Sequence, residues 1–244
     1  MTEDQIILVD KPAGLTSFGV VARIRARLRD EFGHKVKVGH TGTLDPFATG
    51  LLILLSGKMT KKSNDFLKLD KIYETTLRLG YVSTTGDPEG QIREYPKGSS
   101  EESVGGYDRD KRSAPPVTTG RRDSVSEEPP LDILVSTLNR FTGRITQTPP
   151  RFSAIKIDGQ RAYKLARKGQ DFTLPSREVT IYRIDLLAYH YPELSLRIHC
   201  SSGTYIRTLA EDIGKALGTG AYCAALRRTR IGDFDITDPR VISL

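Results

Sequence analysis

The sequence predicts an α+β fold built on a largely antiparallel mixed sheet that is flanked by helices and loops. Several segments alternate apolar and polar residues, as half-buried strands do, and others repeat apolar residues at helical spacing. These segments do not follow the regular strand–helix–strand order that is typical of parallel α/β domains. The sequence also has no glycine-rich phosphate loop with its lysine, so it does not favour nucleotide triphosphate chemistry.

Strands and helices are predicted in turn over the first 80 residues. The apolar run at residues 6–9 ends at a turn, and a helix capped by Ser17 follows it. The apolar face of this helix is Val20, Val21, Ile24 and Leu28. Residues 51–55 read as a buried strand, residues 60–69 as a helix with Phe66, Leu67 and Leu69 turned inward, and residues 72–80 as an alternating strand.

Residues 96–130 are rich in Ser, Gly, Pro and charged residues, which predicts a flexible insertion. After Pro130 we expect a helix that ends before Gly143 and buries Leu134, Leu138 and Phe141. A shorter helix is predicted over residues 160–168. An antiparallel hairpin then joins residues 179–191 to residues 194–200, and a helix covers residues 204–217 with Gly218 as its C-terminal stop.

The charge balance favours a polyanionic partner such as nucleic acid, because 37 basic and 30 acidic side chains leave a net charge of +7. The two cysteines lie far apart and lack metal-ligand spacing, which argues against both a disulfide framework and a zinc site. The N-terminus lacks a signal-peptide pattern, and no stretch reaches the ~18 apolar residues that a membrane span needs. We therefore expect a cytoplasmic protein.

The candidate centre of chemistry is Asp45, which lies in a polar loop directly before an apolar segment. Pro46 pushes Asp45 into an extended conformation, and the glycines around it let the backbone approach a ligand closely. An Asp-Pro pair between Gly and Thr residues is also ordinary turn chemistry, in which the carboxylate accepts hydrogen bonds from backbone amides, and spacing alone favours this interpretation. The catalytic interpretation stays open beside it.

The string Gly-His-Thr-Gly-Thr-Leu-Asp-Pro-Phe-Ala-Thr-Gly-Leu-Leu at residues 39–52 resembles the catalytic motif of the TruB family of tRNA pseudouridine synthases. Further segments match the family in the same order along the chain. They are Asp-Lys-Pro-Ala-Gly-Leu-Thr-Ser (10–17), Lys-Ile-Tyr (71–73), Gly-Asp-Pro-Glu-Gly (86–90), Pro-Pro-Arg-Phe-Ser-Ala-Ile-Lys (149–156), Ser-Gly-Thr-Tyr-Ile-Arg-Thr-Leu (202–209) and Leu-Arg-Arg-Thr-Arg (226–230).

The resemblance implies a pseudouridine synthase fold and the isomerisation of uridine at position 55 in the T-loop of tRNA. The reaction involves no net redox change and no energy input, so no cofactor or metal is expected. We expect a monomer whose residues 1–244 form one catalytic domain, without the C-terminal RNA-binding domain of many members. Two alternatives stay open: a non-catalytic tRNA-binding or tRNA-folding protein on the same scaffold, and a synthase that acts on another T-loop-like RNA.

The resemblance also implies roles for individual residues. Asp45 corresponds to the nucleophile, and Arg207 to the cation that keeps that carboxylate ionised. Asp87 corresponds to a second carboxylate that could share and orient Arg207, although Gly-Asp-Pro is also turn-forming. Tyr73 corresponds to the aromatic residue that faces the target base and helps to move a proton.

The remaining implied contacts are to the substrate. His40, Tyr205 and Leu226 match substrate-binding positions, with His40 placed to fill the space that the extruded base leaves. Phosphate contacts are expected from basic residues, although such sets are also common on solvated helix faces. The candidates are Arg23, Arg27, Lys35, Lys37, Lys58, Lys61, Lys62, Arg227, Arg228 and Arg230. The chain departs from the family at Ser83, where members often carry Asp.

Overall fold

The computed structural model describes residues 3–96, 128–157 and 159–244. The insertion expected at about 96–130 therefore lies almost entirely outside the described residues. The chain divides into two compact units. Unit 1 comprises residues 1–75, 198–202 and 225–244, and unit 2 comprises residues 76–197 and 203–224. The expectation of a single catalytic domain stays a prediction.

The described elements confirm the predicted α+β class. The helices are α1 (Ser17–Phe32), α2 (Ser63–Leu67), α3 (Leu131–Arg140), α4 (Ala162–Arg167) and α5 (Ile206–Ala216). The strands are β1 (Ile6–Lys11), β2 (Val38–His40), β3 (Thr49–Ser56), β4 (Lys71–Leu79), β5 (Tyr81–Ser83), β6 (Ile92–Glu94), β7 (Gly143–Gln147), β8 (Lys156–Ile157), β9 (Gln160–Arg161), β10 (Arg177–His190), β11 (Glu193–Cys200), β12 (Ala221–Ile231), β13 (Phe234–Asp235) and β14 (Ile242–Ser243).

Unit 1 is built on the strand order β14-β1-β3-β12-β4, with β2 beside β3 and β13 beside β12. The antiparallel pairing of β1 with β3 sets Leu8 opposite Ile53 and Val9 opposite Leu52. Because successive side chains point to opposite faces, Val9 and Leu52 pack against α1, while Leu8 and Ile53 pack on the other face. Burial on both faces explains why residues 51–55 are continuously apolar.

The sheet of unit 1 is mixed, because β14 runs parallel to β1 and β12 runs parallel to β3. The parallel register sets Arg228 opposite Gly50. Gly50 has a φ of +99°, and a Cβ there would lie 2.3 Å from the backbone oxygen of Arg228. Only glycine fits at this position, so the end of the Asp45 loop lies directly against β12.

Unit 2 has the strand order β4-β11-β10-β7, together with the hairpins β5-β6 and β8-β9. The predicted hairpin of β10 and β11 and the predicted helices α3, α4 and α5 are all present. The inward residues of α3 are confirmed, since Leu134, Leu138 and Phe141 are buried. The alternation predicted for β4 is also confirmed along the whole strand, which begins in unit 1 and ends in unit 2.

Two predictions of local structure were wrong, and several strands were missed. Thr16, not Ser17, caps α1, because the Thr16 hydroxyl accepts the Gly19 amide and the Ser17 hydroxyl is engaged elsewhere. Residues predicted as one helix over 60–69 form a 3-10 turn (Gly57–Lys62) and then the short α2, and Leu67 is exposed rather than inward. The strands β2, β5, β6, β7, β8, β9, β12, β13 and β14 were not predicted.

Candidate active site

The loop that carries Asp45 is held on both sides of the carboxylate by buried polar side chains of unit 1. On one side the Ser17 hydroxyl donates to the Leu44 carbonyl at 2.9 Å and accepts the Leu44 amide at 2.8 Å. On the other side the ammonium of Lys11 donates to the Pro46 carbonyl at 3.1 Å. Ser17 and Lys11 are buried, while Asp45 is half-buried. The loop therefore presents a partly accessible carboxylate from a fixed backbone.

We predict that Ser17→Ala lowers the free energy of unfolding by about 2 kcal/mol, because it leaves a buried amide and carbonyl of Leu44 without their partner. The matched control is Ser136→Ala, whose hydroxyl is exposed and donates to a carbonyl of its own helix. Urea unfolding of both variants measures the effect. Equal stability of Ser17→Ala and wild type would show that the hydrogen bonds of Ser17 to Leu44 do not stabilise the loop.

Tyr73, on β4, is buried at 9% exposure in the same unit. Burial raises the pKa of the Tyr73 phenol above its ordinary value, and the negative charge of Asp45 acts in the same direction. The positive charge of the Arg228 guanidinium opposes this rise. At neutral pH Tyr73 is therefore an uncharged phenol.

Lys71 opens β4 and is buried at 6% exposure. Its ammonium donates to the Leu67 carbonyl at 2.7 Å and also to the Leu69 carbonyl. Burial, and then the charge of Arg228, lower the pKa of Lys71 to about 8. The segment before Tyr73 thus contains a lysine that loses its proton more readily than an exposed one.

We predict a pH-dependent effect of Lys71→Met on stability. Between pH 8 and 10 the unfolded chain binds a proton on Lys71 that the folded chain has released, so Lys71 makes the wild type more stable as pH rises. The pKa of Lys71 is about 8 in the folded chain and has an ordinary value of 10.5. This difference limits the gain in unfolding free energy to at most about 3 kcal/mol. Urea unfolding of wild type and Lys71→Met at several pH values measures it, with exposed Lys68→Met as the control. A stability difference that does not change with pH would contradict the prediction.

His40 and Leu226, two predicted substrate contacts, also belong to unit 1. His40 ends β2, is half-buried, and its Nδ1 accepts the Gly42 amide at 3.4 Å. Leu226 lies on β12 and is buried at 7% exposure. The hydrogen bond from Gly42 connects the imidazole ring of His40 to the backbone between His40 and Asp45. The roles of both residues toward a base stay predictions.

Arg207 and Asp87 form a buried ion pair in unit 2. Their side chains are each 4% exposed, and Arg207 Nη1 lies 3.0 Å from Asp87 Oδ2. The same guanidinium donates to the Thr85 carbonyl and to the Phe152 carbonyl, each at 2.9 Å. Asp87 in turn accepts the Thr85 hydroxyl and the Glu89 amide. The expectation that Asp87 orients Arg207 is consistent with this geometry, which spreads three directed bonds over a planar guanidinium.

Tyr205 lies directly before α5 in unit 2, so its backbone leads into the helix that carries Arg207. The Gln147 side chain accepts the Tyr205 amide at 3.0 Å and donates to the Tyr205 carbonyl at 3.3 Å. The Arg177 guanidinium lies over the Tyr205 ring, 4.6 Å from its centroid. Gln147 is buried, and these contacts hold the tyrosine ring in place from both its backbone and its face.

Most of the expected phosphate-contacting residues are exposed in unit 1, and Arg227 and Arg228 are the exceptions. The exposed ones are Arg23, Arg27, Lys35, Lys37, Lys58, Lys61, Lys62 and Arg230. Arg227 is half-buried and forms an ion pair with Asp10 at 2.8 Å. The expectation for Arg228 was wrong: at 2% exposure its guanidinium is buried and cannot reach a phosphate outside the unit.

Sequence reasoning missed the supporting roles of Lys11, Gln147 and Arg228. A weak signal for Arg228 exists, because Arg228 follows the apolar Leu226 by two residues, and residues two apart point to the same face of a strand. Because Arg228 is charged, the segment that forms β12 was not recognised as a strand. No comparable signal marks Gln147, whose importance depends on a partner 58 residues away.

Within residues 3–96, 128–157 and 159–244, no group of three or more His, Cys, Asp or Glu side chains could hold a metal ion. No helix in that part of the chain is long and apolar enough to cross a membrane. The expected cytoplasmic location stays a prediction.

Two family models match the chain. The model described as TruB family pseudouridylate synthase (N terminal domain) matches residues 29–107 and 108–206. The model described as tRNA pseudouridylate synthase B C-terminal domain matches residues 207–244. Together they cover all the motifs discussed above except the first, at residues 10–17.

Individual proteins agree with the family models. The tRNA pseudouridine synthase B of Ectopseudomonas mendocina is 45% identical over 233 residues, which is 96% of this chain and 65% of that protein. The tRNA pseudouridine synthase B of Phocaeicola vulgatus is 41% identical over 238 residues, covering 97% of this chain and 89% of that protein. The chain thus spans just under two thirds of the first relative's length.

Among solved structures, that of a Cbf5-Nop10-Gar1 complex is similar over 99% of this chain and 52% of the matched chain, with a TM-score of 0.66 and 27% identity. The fold, the ordered motifs and the extent of the matching models all lead to the same assignment. The chain belongs to the TruB family of pseudouridylate synthases.

Proposed function

We propose that this protein isomerises uridine to pseudouridine at position 55 in the T-loop of tRNA, with Asp45 as the nucleophile and without a cofactor. Family membership and the names of the relatives support this proposal. The single observation that carries it is the arrangement in unit 1. There Asp45 lies half-buried on a loop whose backbone is held on one side by the buried Ser17 and on the other by the buried Lys11.

The reaction breaks the bond between N1 of uracil and C1′ of ribose and forms a bond between C5 and C1′. C5 loses its hydrogen as a proton and N1 gains a proton, so atoms and electrons balance without an oxidant or a reductant. An ionised Asp45 forms a covalent adduct with either the ribose or the uracil ring and later releases it, which divides one difficult step into easier ones. Tyr73 stacks on the base and assists proton movement.

The target uridine must leave the stacked T-loop before Asp45 can reach it. Extrusion costs a few kcal/mol of stacking, and protein contacts must offset this cost. We assign His40 to the space that the base vacates, and Leu226 and Tyr205 to contacts with the extruded nucleotide. His40 suits this role because the Gly42 amide already fixes its ring.

Arg207 is assigned as the cation that keeps Asp45 ionised when the base excludes water, with Asp87 as its orienting partner. A guanidinium held by three directed bonds suits a role that requires one orientation. The exposed basic residues of unit 1 are assigned to phosphates. They fix the position of the RNA rather than read its sequence, and each one adds to the salt dependence of binding.

The experiment that tests the proposal is tritium release from a tRNA transcript labelled at C5 of uridine. The expected result is release by the wild type, mapped to the single T-loop uridine. Tight, salt-sensitive binding of tRNA with no release would instead favour a non-catalytic tRNA-binding or tRNA-folding protein. Release from a T-loop-like hairpin of another RNA, with none from tRNA, would reassign the substrate.

A further inference from the structure

The guanidinium of Arg177 in unit 2 is a cation to which the proposed reaction gives no role. It lies over the Tyr205 ring, 4.6 Å from the ring centroid. Its Nε is buried and has no hydrogen-bond partner in the part of the chain that the structure describes. The Arg207 guanidinium, by contrast, donates to three acceptors. Because an unpaired buried donor costs free energy, the state of Arg177 requires an explanation.

Strand pairing sets the position of Arg177. The strands β7 and β10 are antiparallel, and their register sets Arg177 directly opposite Gln147. Residues that are opposite each other in this way point to the same face of the sheet. Both side chains contact Tyr205, because Gln147 binds its backbone amide and carbonyl while Arg177 covers its ring. Two neighbouring strands therefore hold the cation on the face of the tyrosine.

The pair formed by Arg177 and Tyr205 is partly open to solvent. Both residues are half-buried, and the nearby Gly203 is exposed. A Cβ at Gly203 would lie 3.4 Å from Nη1 of Arg177. The absence of a side chain at Gly203 thus leaves room for a ligand next to Nη1. A phosphate suits this place, because the planar donors of a guanidinium match two phosphate oxygens.

We propose that Arg177 binds a phosphate that flanks the extruded nucleotide while its guanidinium stays on the Tyr205 ring. This inference rests on the proposed function, in which Tyr205 contacts that nucleotide, and it adds the group that the cation beside Tyr205 recognises. The flanking phosphates are covalently attached to the nucleotide, so a nucleotide held at Tyr205 brings a phosphate to Arg177. Such a contact positions the nucleotide and does not read its sequence.

The first test is filter binding of tRNA over a range of salt concentrations. Arg177→Gln should reduce the slope of log affinity against log salt by about 1, the effect of one lost phosphate contact. Arg177→Lys keeps the charge and should keep the slope of the wild type. An unchanged slope in Arg177→Gln would show that Arg177 only packs on Tyr205 and would overturn the proposal.

The control for the salt dependence is Arg78→Gln. Arg78 is also a half-buried arginine of unit 2 that lies over a tyrosine ring, that of Tyr81, 5.1 Å from its centroid. Its replacement removes the same charge and the same kind of ring contact at a different tyrosine. The salt slope of Arg78→Gln should equal that of the wild type.

The second test locates the phosphate with synthetic T-arm hairpins. In each hairpin an uncharged methylphosphonate replaces one of the two phosphates that flank the target uridine. One of these replacements should weaken binding by the wild type about tenfold, as expected for a hydrogen bond to a charged group. It should weaken binding by Arg177→Gln by less than about twofold, because the partner is already missing. Equal losses in both proteins at both positions would overturn the assignment.

A third measurement needs no variant. The side-chain nitrogen resonances of Arg177, recorded by NMR on the wild type, should shift when the unmodified hairpin binds. They should shift less with the hairpin whose methylphosphonate weakens binding, when both hairpins are at saturation. Equal shifts with every hairpin would overturn the proposal even if Arg177→Gln failed to fold.

None of these measurements depends on turnover, so the two proposals can fail separately. If the wild type releases no tritium but Arg177 is coupled to a flanking phosphate, the proposed reaction fails while the phosphate contact stands. If the wild type releases tritium from the T-loop uridine and Arg177 is coupled to neither flanking phosphate, the reaction stands and the inference about Arg177 fails.

Discussion

Asp45→Asn should lower the single-turnover rate of pseudouridine formation by at least about 10⁴-fold, the scale of effect seen when a nucleophile is removed. The amide is nearly the same size as the carboxylate but is a far weaker nucleophile, so the adduct does not form. The dissociation constant for tRNA should stay within about tenfold, because the clamps on Leu44 and Pro46 do not involve the Asp45 side chain. Tritium release and filter binding measure the two quantities.

The matched control for this variant is Asp30→Asn, an exposed carboxylate of α1 that is paired with Arg29 at the surface. It should leave the rate unchanged, because surface ion pairs contribute little. Loss of tRNA binding by Asp45→Asn, together with a wild-type rate for whatever RNA remains bound, would remove Asp45 from the chemistry and restore its reading as a turn residue.

Arg207→Met should lower the free energy of unfolding by about 3–5 kcal/mol and also abolish turnover. It leaves the 4% exposed carboxylate of Asp87 without its charge partner, and an uncompensated buried charge is strongly destabilising. Adding Asp87→Asn removes that charge, so the double variant should recover part of the lost stability. Turnover should not recover, because the guanidinium itself is still missing. Urea unfolding and single-turnover assays separate the two effects.

Arg183→Met is the control for this pair, since Arg183 is 74% exposed and contacts Asp185 within the same unit. Its loss should change the unfolding free energy by no more than about 0.5 kcal/mol. If turnover returns in the double variant along with stability, Arg207 acts only in the fold and its assignment as the cation for Asp45 fails.

Much of the architecture could be predicted because the relevant signals are local. The strand β4 shows its alternation over nine residues, and the helix α1 places four apolar residues on one face. Gly218 ends the segment after α5 with a φ of +71°, as its position in the sequence predicts. In each case neighbours in the sequence determine the conformation, so one chain contains the information needed.

Two of the errors occurred where a distant partner decides. Ser17 was predicted as a helix cap, but its hydroxyl bonds to Leu44, 27 residues away. Arg228 was predicted as a surface cation, but the carbonyls of Leu51 and Gly42, 177 and 186 residues away, hold it inside the unit. A hydrogen-bonding side chain has several possible partners, and its residue type does not say which one it meets.

The sequence by itself determined the fold class, the family and the identity of Asp45 as the residue to test. The reason is that hydrophobic periodicity and the order of the motifs are properties of neighbouring residues in the chain. Only the tertiary structure decided how that residue is held. It revealed the clamps of Ser17 and Lys11, the burial of Arg228, and the ion pair of Arg207 with Asp87. These depend on desolvation and on directed bonds between distant residues, and both arise only when the chain has folded.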